Sequence, residues 1–205
     1  MLVTAAHCLP FFPPCRSASY QGEHTYKSLL GRIGEATAIW AECLFADPVA
    51  DIAVLGPPDT QVLPDRADAY EELMATTLTL PRSDAPTGAS AWLLSLDLRW
   101  FPCHVGHDGG LLWITEAADR IRRGMSGSPI IDENGNAIGV LCTNREVPDC
   151  ESFQAEGGGN ARLALNLPPW LAPRMRGVRF DLNRVRDKIS VETTPEGLLK
   201  LRQGP

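Results

Sequence analysis

The sequence contains no run approaching the ~18 consecutive apolar residues that a bilayer-crossing helix needs, so no membrane partner is expected. It has no internal repeat and no low-complexity tract, which removes solenoids, arrays and fibrous chains. Its six cysteines are too sparse for a small disulfide-stapled scaffold, and none form the paired CxxC pattern of a closed zinc site. An excess of basic charge is also missing: 19 Lys and Arg face 25 Asp and Glu, for a net charge of −6. That balance argues against a broad phosphate-binding face, so no nucleic-acid partner is expected. The local basic clusters, at Arg120, Arg122 and Arg123 and between Arg162 and Lys188, read as solvated faces.

What is present is an ordinary globular mixture, 44% hydrophobic and 21% charged over 205 residues, enough for one compact unit or two small lobes. Eighteen glycines and 17 prolines imply many turns and short strands. The opening MLVTAAHCLPFFPP, followed by Ser17-Ala18-Ser19, has the outline of a secretory leader. It lacks a basic start, however, and His7 and Pro10 interrupt its apolar run, so it reads as part of the fold.

Residues 37–45 and 52–55 read as strands separated by the Asp47-Pro48 turn, with Gly56-Pro57-Pro58 ending the second. Residues 57–86 are polar and proline-punctuated, apart from a short helical pattern at 67–75 and a strand-like TTLTL at 76–80, and they look like a crossing between lobes. Strand signals return at ASAWLLSL, WFPCHV and LLWITEA, then on either side of Asn134-Gly135, a strong hairpin pair. Residues 161–167 alternate like another strand. Phe180, Leu182, Val185 and Ile189 fall at helical spacing and predict a terminal amphipathic helix.

Three residue contexts carry candidate chemistry. Ser126 stands between glycines in Gly124-Met125-Ser126-Gly127-Ser128-Pro129, ahead of an apolar strand. There a hydroxyl can project into a cleft while neighbouring backbone N–H groups face a developing oxyanion. His7 follows small residues in Thr4-Ala5-Ala6-His7-Cys8, where a strand ends. Asp51 leads the buried-strand pattern Ile52-Ala53-Val54-Leu55 and suits the group that fixes an imidazole tautomer. Each has an ordinary alternative: a serine turn, a satisfied core histidine, a turn cap. Asp47 competes for the carboxylate role.

In the order His, Asp, Ser, the blocks TAAHC, DIAVL and GMSGSP resemble the signatures of the chymotrypsin-like (trypsin-fold) serine peptidases, in the style of the short bacterial members. The resemblance runs from Met1 to about Leu171. It implies an all-β fold of two six-stranded antiparallel barrels, the first N-terminally incomplete because only Met1, Leu2 and Val3 precede the TAAHC block, with a C-terminal helix. Residues 1–80 would hold the remainder of the first barrel and the crossing, 81–175 the second barrel, and 176–205 the helix and tail. An incomplete first barrel would expose a sheet edge, which a partner chain could complete.

By the same resemblance Ser126 would be the nucleophile, His7 the general base and then acid, and Asp51 the orienting carboxylate, with the Gly124 and Ser126 N–H groups as oxyanion hole. The chain would be a serine endopeptidase acting on a protein or peptide substrate without cofactor or metal. Arg120, six residues before the nucleophile, would sit at the base of the primary pocket, with Ala161, Arg162 and Leu163 as a wall. An inward Arg120 would favour acidic substrate residues, and an outward one would not. Met125 replaces the aspartate that receives a freed N-terminus in animal members, so activation by clipping is not expected, and Ser128 stands where glycine is commoner. Cys8 lacks the upstream partner it has in animal members. Cys103, His104, His107, Cys142 and Cys150 offer a weaker zinc reading, and Cys142 with Cys150 a disulfide alternative. The competing functional classes are a catalytically silent binding module or fragment of the same fold, and an α/β-hydrolase esterase. The latter needs the order Ser, Asp, His, and here the serine comes last.

Overall fold

The computed structural model describes residues 1–13, 24–32, 35–84, 88–108, 110–142, 156–171, 175, 178–180, 189–193 and 199–203. Its β elements form one closed barrel, one open sheet and a two-stranded pair. The open sheet uses β1 (Leu2–Ala5), β2 (Thr25–Leu30), β3 (Ile39–Asp47), β4 (Ile52–Gly56), β5 (Leu78–Leu80) and β12 (Val178–Phe180), in the order β2-β3-β4-β1-β12-β5. The closed antiparallel barrel uses β6 (Ala89–Leu94), β7 (Trp100–Asp108), β8 (Leu111–Thr115), β9 (Pro129–Asp132), β10 (Ala137–Val140) and β11 (Glu156–Arg162), in the order β10-β11-β8-β7-β6-β9. A separate hairpin joins β13 (Ile189–Thr193) to β14 (Leu199–Gln203).

The burial pattern explains why β4 reads as a continuous apolar run. All five of its residues are buried. Ile52 and Val54 face a core shared with the barrel, through Ile131, Val140, Ala161 and Leu163. Ala53 and Leu55 face the opposite side, toward helix α1 (Pro64–Ala75). A strand covered on both faces needs no polar alternation. The helix starts with Pro64 in its first turn, where the missing N–H costs nothing, and buries Ala67, Tyr70, Leu73 and Met74 at helical spacing. The Tyr70 hydroxyl donates to the Leu55 carbonyl at 3.0 Å, so the ring is buried without stranding its polar tip.

The barrel interior is filled by Leu93, Val105, Leu112, Ile114, Ile130 and Ile138, among others. Asn160 on β11 is fully buried among them, with its Nδ2 donating to Leu112 O at 3.1 Å and its Oδ1 accepting the Cys142 N–H at 3.0 Å. Truncating it strands two buried backbone groups. Asn160→Ala is therefore expected to cost about 2–4 kcal/mol, read as a lower urea midpoint with an unchanged m-value.

Several expectations are corrected. The terminal helix is not found at either end of its pattern: Phe180 lies in β12 and Ile189 opens β13, while Leu182 and Val185 lie outside the described residues. The 161–167 strand is displaced, since β11 ends at Arg162 and Leu163–Asn166 form a helical turn, α2. Among the described residues the first sheet is open, with β2 and β5 at its edges, and β1 lies inside it. β12 pairs parallel to β1 at Leu2↔Arg179 and antiparallel to β5 through Val178↔Leu80 and Phe180↔Leu78, so a segment assigned from the sequence to a separate tail belongs to the first sheet. Among the described residues one barrel is closed and the other sheet, of six strands, is open, so a second full barrel is not formed by them.

Candidate active site

β1 pairs antiparallel with β4 from Leu2↔Leu55 to Ala5↔Ile52, and this register sets the residue after β1 beside the residue before β4. The chain leaves β1 in a tight 3-10 turn, Ala6–Cys8, with Ala6 buried and His7 turned outward. Asp51 adopts φ +54°, a left-handed conformation that aspartate tolerates better than most residues. Its carbonyl accepts the Ala6 N–H at 3.0 Å, and its carboxylate takes two contacts from His7: the backbone N–H to Oδ1 at 2.8 Å, and Nδ1 to Oδ2 at 2.6 Å. Asp47 is occupied elsewhere. Its Oδ1 accepts the Val49 and Ala50 N–H groups and so closes the turn before Asp51.

On its other side the ring meets the nucleophile candidate, with His7 Nε2 lying 2.8 Å from Ser126 Oγ. A carboxylate only accepts, so Nδ1 must hold the proton in the neutral ring and Nε2 is left to accept from the Ser126 hydroxyl. The His7 side chain is 47% exposed and Asp51 19%, so the ring stands at the surface while its anchor is mostly covered.

The serine turn is anchored at Met125 and open on either side of it: Gly124 is exposed, and Ser126, Gly127 and Ser128 are half-buried. Met125 is buried in the barrel core, its N–H donates to Arg122 O at 3.2 Å, and its sulfur receives the Arg122 N–H. That anchoring explains an apolar residue beside the serine. Gly124 has φ +94° and Gly127 φ +88°, values that a side chain would strain. Gly127 N–H donates to Leu141 O at 2.8 Å and Ser128 N–H to Met125 O at 2.9 Å. The N–H groups of Gly124 and Ser126 donate to no group among the described residues, as an oxyanion site requires.

Gly127 also packs against the other lobe, where a Cβ would lie 2.8 Å from Thr4 Oγ1. Gly127→Ala is expected to destabilise by about 1–3 kcal/mol from the dihedral alone. Adding Thr4→Ala should relieve the contact but not the dihedral, so thermal melts of the double variant should recover only in part.

The residues expected to line a specificity pocket are not gathered as His7, Asp51 and Ser126 are. Arg120 is exposed, on a turn where its N–H meets Asp119 Oδ1 at 2.7 Å. Ala161 and Leu163 are fully buried in the core between lobes, and the Arg162 guanidinium is engaged by Asp84. For the zinc reading, Cys103 is buried and His104 Nδ1 faces Glu116 at 3.1 Å; among the described residues no metal-binding cluster occurs. Cys150 lies outside the described residues, and so does the Cys142–Cys150 pairing. Two contributors went unnoticed as such in the sequence: Thr4, against the serine turn, and Cys142, whose sulfur lies 3.2 Å from Asp51 O. Neither has a local signal for this, since the contact in question crosses the lobe boundary in each case.

Compared with known proteins, the chain matches no protein-family model and no curated protein. Its function must therefore be argued from the arrangement of His7, Asp51 and Ser126.

Proposed function

We propose that this protein is a serine endopeptidase of the chymotrypsin-like kind, and that its open first sheet corresponds to the first barrel of that fold. The single observation behind this reading is the imidazole of His7, which bridges Asp51 at 2.6 Å and Ser126 at 2.8 Å although the serine is 119 residues away in the chain. Three residues brought together from two sheets in the donor–acceptor order that acyl transfer needs have no comparable structural purpose at a half-exposed site.

The steps follow from the proton inventory. A peptide carbonyl enters with its oxygen toward the free N–H groups of Gly124 and Ser126. Ser126 Oγ attacks the carbonyl carbon as its proton passes to His7 Nε2, and the resulting imidazolium is stabilised by Asp51. The same proton then goes to the leaving amine, the C–N bond breaks, and an acyl-Ser126 ester remains. Water repeats the sequence, with His7 again taking and returning a proton. No cofactor is required. Met125 is buried in the serine turn and offers no carboxylate to a freed N-terminus, so the triad is aligned without clipping. A silent binding module would leave His7 out of register with Ser126; the 2.8 Å contact favours the catalytic reading.

The reading is tested with an unfolded protein substrate such as casein. New amine termini should appear with wild-type protein and not with His7→Ala. Equal cleavage by both would assign the activity to a contaminant.

A further inference from the structure

The sequence leads to the expectation of an exposed edge beside β1, and the structure places there a strand from the other end of the described chain. β12 lies between β1 and β5 in the order β2-β3-β4-β1-β12-β5. Its two pairings differ in kind. With β5 it is antiparallel over three residue pairs, Val178↔Leu80, Arg179↔Thr79 and Phe180↔Leu78, whereas with β1 it is parallel, through Leu2↔Arg179 alone. On its other side β1 pairs with β4 through four residues. One parallel pair is the weaker grip, because parallel pairing is slightly less stable per residue.

Among the described residues β5 joins the first sheet through β12 and no other strand. The chain beyond β5 is fastened to the barrel. Pro81 O accepts the Ala137 N–H at 2.7 Å, the Ser83 N–H donates to Ala137 O at 3.1 Å, and Ser83 Oγ donates to Asp132 Oδ2 at 2.6 Å. Asp132 ends β9, the strand that follows Ser126, and β1 runs directly into the turn that carries His7. By backbone pairing, β12 thus connects the strand ahead of the histidine to the crossing fastened beyond the serine. The lobes also meet by packing, through β4 and at Thr4 against Gly127. We infer that β12 is a clasp on the candidate site: a detachable strand whose insertion between β1 and β5 holds His7 in line with Ser126, and whose release leaves the barrel folded but the triad misaligned. The barrel closes on itself without β12, so the two events are separable. The effect on rate rests on the peptidase reading; the effect on β1 does not.

The test compares wild type with Arg179→Pro and Arg179→Val in the full chain. Proline has no N–H to donate and does not fit inside a sheet, whereas valine keeps the N–H and favours a strand. In Arg179→Pro, hydrogen exchange followed by mass spectrometry should speed up at least about tenfold in residues 2–7 and stay as in wild type in β7 and β8. Its kcat on casein should fall about ten- to hundredfold, the cost of a displaced triad, with KM within about threefold. Arg179→Val should match wild type within about twofold in both readouts. Wild-type exchange in residues 2–7 of the proline variant overturns the proposal, and so does faster exchange there with an unchanged kcat. Equally accelerated exchange in β7 and β8 would make β12 part of the general fold and overturn the clasp. A valine variant as impaired as the proline one would assign the effect to the Arg179 side chain, which also overturns it. If wild type hydrolyses no casein, the peptidase reading falls, and exchange in residues 2–7 still decides whether β12 holds β1.

Discussion

Ser126→Ala is expected to lower kcat for peptide hydrolysis by about 10⁴–10⁶-fold, because it removes the atom that attacks and leaves only the oxyanion site and substrate binding. The fold should barely notice. Ser126 is half-buried and its hydroxyl meets an imidazole that water can reach, so stability should change by no more than about 0.5–1 kcal/mol. His7→Ala should cost a similar factor, and the double variant no more than either single one, since the two residues act as a unit. Steady-state assays on purified single and double variants, with thermal melts beside them, check all three statements. Additive losses would mean that the serine and histidine work separately.

Asp51→Asn should be nearly as damaging, by about 10⁴-fold, although it changes one atom and little of the packing. The reason lies in the two contacts Asp51 makes. Its Oδ1 accepts the His7 backbone N–H, so an asparagine would keep its oxygen there and present its NH₂ to His7 Nδ1. Nδ1 would then have to accept, the ring proton would move to Nε2, and Nε2 could no longer take the proton of Ser126. The tautomer is directly observable: nitrogen NMR of the His7 ring should report protonation at Nδ1 in wild type and at Nε2 in the variant. Asp47→Asn, in contrast, touches only the turn cap at Val49 and Ala50 and should leave the rate unchanged, because an asparagine oxygen can make the same contacts.

The parts of this site that were legible in the sequence are those whose chemistry is local. TAAHC, DIAVL and GMSGSP each combine a reactive side chain with the small or apolar residues its own turn requires, and the structure brings His7, Asp51 and Ser126 into hydrogen-bond contact. The two-sided burial of β4 was likewise written in its unbroken apolar run. What was not legible depended on distant partners. Phe180 and Ile189 fall at helical spacing by composition alone, but Phe180 sits opposite Leu78 across a strand pair and Ile189 opposite Gln203. β2 has no alternating pattern in its sequence, TYKSLL, and in the structure Ser28, at φ +51°, and a register shift between Tyr26 and Leu30 interrupt its pairing. Leu163 reads as one more alternating strand residue, yet it starts a helical turn and is the residue of that turn buried in the core shared with the first sheet. Cys142 looks like a ligand or half of a disulfide until the Asp51 carbonyl is placed beside it.

The most direct test of the triad is labelling of the folded protein with a serine-directed fluorophosphonate, followed by intact mass and peptide mapping. A single adduct on Ser126, formed rapidly in wild type, greatly slowed in His7→Ala and absent in Ser126→Ala, is the predicted result. No adduct on wild type, or one that persists in Ser126→Ala, would contradict the account.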